Sequence, residues 1–170
     1  ADPAEAALNE PHLYVDTAAV PEMGRGLFAR RAFPAGQTLV EYRGFRRTKK
    51  QLDALYGADL ARWATEIRRP RARMAQLFVD ASTEDKTDLE HFSVARFAND
   101  CRPSAAEYIL QRTEGQRTCR SNAEFISHDD RVYMVSTRPI AAGQEIFVNY
   151  GDAYWGTEQE QVEQIVSDAL

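Results

Sequence analysis

The apolar residues of this chain come in short runs, each closed by a turn signal, and that rhythm restricts the fold more than any other property. Residues 13–15, 38–42, 77–80, 108–110, 123–126, 131–136 and 145–150 each read as a strand. Two of these strands share a lead-in. Phe33-Pro34-Ala35-Gly36 precedes a run that ends Tyr42-Arg43-Gly44, and Arg138-Pro139-Ile140-Ala141-Ala142-Gly143 precedes one that ends Tyr150-Gly151. A tyrosine at a strand end with glycine behind it presents a phenol at a rim and lets backbone pass close by. Helical periodicity occurs twice. Over 48–67, Thr48 and Gln51 form a capping box, and Leu52, Leu55, Tyr56, Leu60, Trp63 and Ile67 share a face before Pro70. Over 157–169, Thr157 and Glu160 cap a face of Val162, Ile165, Val166 and Ala169. Residues 92–98 fit a short helical turn, and 82–90 a polar loop. Many short strands with two helices predict a β-rich α+β domain.

The 170 residues fit one domain with a real core, and 44% hydrophobic against 28% charged residues is ordinary for a soluble globular protein. No apolar run reaches the roughly 18 residues of a membrane span, and neither a membrane partner nor a signal peptide is expected. Cys101 and Cys119 are too few for a four-thiolate zinc site, His12, His91 and His128 show no ligand spacing, and no metal is expected. A reduced intracellular setting fits that cysteine usage. The net charge of −5 is unevenly spread. Residues 1–22 and 139–170 hold five and six acids with no Lys or Arg, whereas 43–73 holds ten Lys/Arg against three acids. The acidic ends favour a cationic partner; the basic segment is either a solvated helix face or a phosphate contact.

Several chemistries drop out. Gly24-x-Gly26-x-x-Ala29 matches a dinucleotide fingerprint in letters only, because Pro34 and Gly36 interrupt where a βαβ helix would run. A plain tight turn, or a turn baring backbone amides to a ligand, remains. There is no nucleophile elbow and no HExxH, and Cys101 has no histidine placed to activate it, so it reads as structural.

Taken in order, the segments resemble the SET domain of protein lysine methyltransferases over about residues 11–156. The family opens with Gly-x-Gly, here Gly24-Arg25-Gly26, and continues with Glu41-Tyr42-Arg43-Gly44, a variable insert (45–90), and Val79-Asp80-Ala81. Next come Arg96-Phe97-Ala98-Asn99-Asp100-Cys101 and Glu145-Ile146-Phe147-Val148-Asn149-Tyr150-Gly151. Three features depart from the pattern. Asp100 stands where the family has histidine. The strand led by Asn122 is separated from its motif by an insertion at 102–121. No cysteine-rich segment follows the core; Tyr154-Trp155 and the 157–170 helix would close the site, with 1–10 a tail.

The resemblance implies a SET fold of several small curved sheets and methyl transfer from S-adenosylmethionine to a lysine Nε, most naturally on a histone tail in the nucleus. It makes Tyr150 the catalytic phenol and sets Tyr42 to line the lysine channel or hydrogen-bond the amine, with Phe125 and Val148 completing the channel wall. Gly24, Arg25, Gly26, Asn99 and the backbone of Asp100 would hold the donor, and Trp155 would stack on its adenine. Because Phe125 and Val148 carry no hydroxyl, di- or trimethylation is the expected product. The basic 43–73 segment would touch nucleosomal DNA. Asp100 and the insertion leave one alternative, a SET-like module that binds a lysine peptide or chromatin without catalysis.

Overall fold

The computed structural model describes residues 1–57, 64–67, 76–100 and 120–149. They form α1 (Pro3–Asn9), β1 (Leu13–Thr17), β2 (Arg25–Ala29), β3 (Thr38–Glu41), β4 (Phe45–Thr48) and α2 (Lys49–Tyr56). After these come β5 (Ala64–Glu66), β6 (Leu77–Asp80), β7 (Asn99–Asp100), β8 (Ala123–His128), β9 (Arg131–Ser136) and β10 (Glu145–Val148). Three small sheets result, ordered β1-β2-β10-β7, β3-β9-β8 and β4-β6-β5. Pairing is antiparallel except where β10 runs parallel to β7. This is the β-rich α+β architecture expected from the turn rhythm. Leu27, Leu39, Val40, Val132, Met134, Ile146 and Val148 lie at its centre, all but removed from water.

The two similar lead-in turns lie against each other. Phe33 and Ile140 exchange backbone hydrogen bonds of 2.9 and 2.8 Å. Gly36 and Gly143 each close their turn at φ near +80°, a conformation that a side chain would strain. One small bridge thus fixes the starts of both β3 and β10.

Residues 1–10 are not a tail. Asp2 caps α1 by accepting from Ala4 N, with Pro3 at the first helical position. The helix lies along β3, an edge strand, and its side chains serve the free backbone there. Glu5 Oε2 accepts from Thr38 N at 2.9 Å, and Asn9 Nδ2 donates to Thr38 O at 2.8 Å. Glu10 takes both terminal nitrogens of Arg43 (2.6 and 2.9 Å), while Arg43 Nε donates to the Phe92 carbonyl.

The expected helix over 48–67 is shorter than its periodicity implied. The Thr48–Gln51 capping box is present, but α2 stops at Tyr56, where Gly57 turns out at φ 83°. Residues 64–66 instead form β5, pairing Thr65 with Val79 of β6. Leu60 and Trp63 lie outside the described residues, as do the expected strand at 108–110, both cysteines and the 157–169 helix. Asp80 ties the insert together. Its buried carboxylate takes Arg47 Nε at 2.8 Å, the Tyr56 hydroxyl at 2.7 Å and Ser82 N at 3.1 Å.

Candidate active site

Tyr42 follows β3 directly and is buried at 5% exposure. The next two residues explain its fixed placement. Arg43 is held by Glu10 and the Phe92 carbonyl, and Gly44 lies against β6 so closely that a Cβ there would overlap the Asp80 carbonyl. Only glycine permits that approach. The ring of Tyr42 meets Phe125 edge-on, with centroids 5.0 Å apart. Its hydroxyl hydrogen-bonds the Thr65 side chain, and burial pushes the phenol well above its ordinary range. Tyr42 therefore stays protonated at any physiological pH. It acts as a hydrogen-bonding and packing group rather than a base. An open groove of about 450 Å³ borders the same motif on the side of Arg43 and Gly44, with His91 and Arg131 on its rim.

A second cluster gathers the residues expected around the methyl donor. Gly24 sits at φ 74° with open space where its Cβ would project. Arg25 is exposed and lies 4.9 Å over the Phe97 ring. Asn99 Nδ2 donates to Arg25 O at 3.0 Å and to Glu145 Oε1 at 3.3 Å, and among the described residues no donor reaches its Oδ1. Asp100 is fully buried, backbone as well as side chain, so the surface of this segment next to the cluster is that of Asn99, against the expectation that the Asp100 backbone would face the donor. Asn99 and Asp100 pair in parallel with Phe147 and Val148, which joins the cluster to β10. Gly26 differs from Gly24. It lies within β2 and faces the Glu145 carboxylate, which fills the place of its missing Cβ.

Strand β10 is gripped from its other side by one residue. Asn122, 2% exposed, accepts from Phe147 N through Oδ1 at 2.8 Å and donates from Nδ2 to Glu145 O at 2.9 Å. Its own N–H reaches Phe147 O at 3.0 Å. An asparagine side chain here does the work of a neighbouring strand, just ahead of residues 149–151. Val148 is fully buried in the core that also holds Tyr42, and Phe125 packs against that core. The structure therefore unites Tyr42 with Phe125, and Gly24, Arg25, Gly26 and Asn99 with β10. Tyr150 and Trp155 lie outside the described residues.

Three contributors escaped sequence reasoning. Thr65 fell inside the helical stretch, and its partner is distant in sequence, so no local signal marked it. Glu145 carried a signal: an acid opening an otherwise apolar strand. Asn122 read only as the head of β8, with no hint that its side chain would pair β10.

Three small sheets, a buried tyrosine and a turn open at Gly24 together point to one class of fold. The family model of the SET domain matches residues 24–151, and the chain belongs to the SET-domain family, the lysine methyltransferase family that the motif order implied. No curated protein matches it. Among solved structures, the methyltransferase domain of human PR domain-containing protein 2 aligns at a TM-score of 0.54 and 18% identity. The alignment covers 88% of either chain and shows the shared fold.

Proposed function

We propose that the chain is an S-adenosylmethionine-dependent protein-lysine N-methyltransferase acting on a histone tail in the nucleus. The observation that carries this reading is the setting of Tyr42: a buried, neutral phenol held between Thr65 and Phe125. An apolar aromatic wall of this kind suits a lysine stem and penalises an ammonium.

The donor cluster fits the second substrate. Gly24 leaves open space, Arg25 offers an exposed cation for a carboxylate, and Asn99 Oδ1, which no donor reaches among the described residues, can accept from a ligand N–H or O–H. Arg25, Asn99 and the backbone of residues 24–26 would hold S-adenosylmethionine, which supplies a methyl group already activated on sulfonium. The chain's own task is alignment and exclusion of water. An acceptor lysine, with an ordinary pKa of about 10.4, loses its proton more readily on entering a desolvated aromatic channel. Tyr42, unable to ionise, would orient the amine lone pair while Tyr150 flanks the transferring methyl. Holding the reacting atoms in line is worth several kcal/mol by itself.

The hydroxyl-free Val148 and Phe125 support di- or trimethyl product, because neither holds a water where a second methyl would go. The basic 43–73 segment would contact nucleosomal DNA, and five of its ten cations, Arg62, Arg68, Arg69, Arg71 and Arg73, lie outside the described residues. Arg43, Arg47 and Lys49 are engaged by Glu10, Asp80 and Asp53, leaving Arg46 and Lys50 exposed among the described residues. Methyl transfer to histones and nucleosomes tests the reading, with Tyr150→Phe as control and mass spectrometry of the product. No measurable donor binding would leave a lysine-peptide binding module, whereas donor binding without transfer to histones would move the substrate to another protein. Full activity in Tyr150→Phe would remove that tyrosine from the mechanism, and product that stays monomethyl would refute the role given to Val148.

A further inference from the structure

Glu145 is a buried acid with no part in the mechanism above. At 5% exposure its carboxylate reaches three separate segments. Oε2 accepts from Ala19 N at 3.0 Å in the loop between β1 and β2, and Oε1 accepts from Asn99 Nδ2 at 3.3 Å on β7. Between these contacts the carboxylate fills the space left by Gly26. The same Asn99 amide nitrogen donates to Arg25 O, and Ala18 N donates to Gly24 O at 2.8 Å, closing the loop around the turn.

A buried carboxylate is costly unless hydrogen-bonded, and among the described residues no cation pairs with this one. Its compensation comes from N–H donors, and those donors belong to the segments that surround the Gly24 opening. Two acceptor oxygens are needed to hold both at once. Glutamine has the same shape but one acceptor, so its amide would face either the Ala19 N–H or the Asn99 NH2 donor to donor.

We propose that Glu145 is a positioning residue of the methyl-donor site, fixing the Gly24-Arg25-Gly26 turn relative to Asn99 before the donor arrives. The proposal rests on the methyltransferase reading. A preset site binds without the cost of ordering the loop, so loss of the clamp appears in donor affinity rather than in lysine recognition. Asn99 and Glu145 then act as one unit, and their substitutions are not additive.

Calorimetric titration of S-adenosylmethionine into wild type, Glu145→Gln, Asn99→Ala and the double variant tests this, alongside peptide KM and a thermal melt of each. The expected result is about a tenfold weaker donor Kd in each single variant, with the double no weaker than the worse single and peptide KM within about twofold. Glu145→Asp, which keeps the charge but is too short to span both donors, provides the same readout if the glutamine variant does not fold. Unchanged donor affinity in a folded Glu145 variant, an additive double variant, or an equal rise in peptide KM overturns the positioning role alone. A wild type that binds no donor overturns the methyltransferase reading and this role together.

Discussion

Replacing Asn122 by alanine removes two side-chain hydrogen bonds at once, to Phe147 N and to Glu145 O, at a site 2% exposed. Water cannot take their place without opening the sheet. A buried N–H left without a partner costs about 1–3 kcal/mol, and the carbonyl, with a second lone pair, falls at the low end of that range. The sum is about 2–4 kcal/mol, a large fraction of the roughly 5–15 kcal/mol that holds a typical domain together. Urea unfolding without ligand should move the midpoint down by roughly 1–2 M at an unchanged slope. Hydrogen exchange locates the loss, and the Phe147 amide should lose protection in Asn122→Ala. In Asn122→Asp an acceptor for that amide remains, so protection at Phe147 should persist while the Glu145 carbonyl loses its donor. A destabilisation below about 1 kcal/mol, or a Phe147 amide as protected in the alanine variant as in the parent, would refute the view that one side chain stands in for a strand.

Other perturbations follow from the same geometry. Folding holds Tyr42 in its neutral form, so its contribution is complete below about pH 10 and declines above it, by up to about 1.4 kcal/mol per pH unit. Tyr42→Phe should flatten the fall in stability between about pH 10 and 12, and parallel alkaline unfolding curves for the two proteins would contradict its burial. Gly44→Ala has to push a Cβ into the Asp80 carbonyl and should cost at least about 3 kcal/mol in thermal unfolding. A variant that melts with the parent would mean that the backbone yields there. Thr48→Ala removes a reciprocal cap and should cost about 1 kcal/mol by chemical denaturation, with α2 fraying in its hydrogen exchange. No change in either measurement would show that tertiary contacts alone hold that turn.

Features decided within a few residues were legible in the sequence. The Thr48–Gln51 box, the turn before β9 and the two glycine-closed lead-ins all depend on local backbone preference, and they form where the residues put them. The stretch 57–67 misled because apolar spacing alone cannot register a competing strand. Gly57 ends the helix, and the pairing of Thr65 with Val79 depends on a segment more than ten residues away. Helix α1 left a readable sign in Asp2-Pro3, yet its stability comes from Thr38, which no short-range pattern could reveal. For the candidate site, the motif positions pointed to Tyr42, Asn99 and the Gly-x-Gly turn, and the fold brings Asn99 beside that turn and Tyr42 beside Phe125. Asn122, Glu145 and Thr65 act through side chains that cross between elements, and those partnerships exist only after folding.

The way α1 lies along β3 has a further consequence. An edge strand with unspent N–H and C=O groups is a template for another chain. Here Glu5 and Asn9 occupy those groups at Thr38, so the first helix acts as a guard against sheet-to-sheet self-association. Removing residues 1–10 would bare that edge and also release Arg43, the immediate neighbour of Tyr42, from Glu10. Solubility and the posture of Tyr42 would then fail together, because ten residues at the margin of the fold serve both.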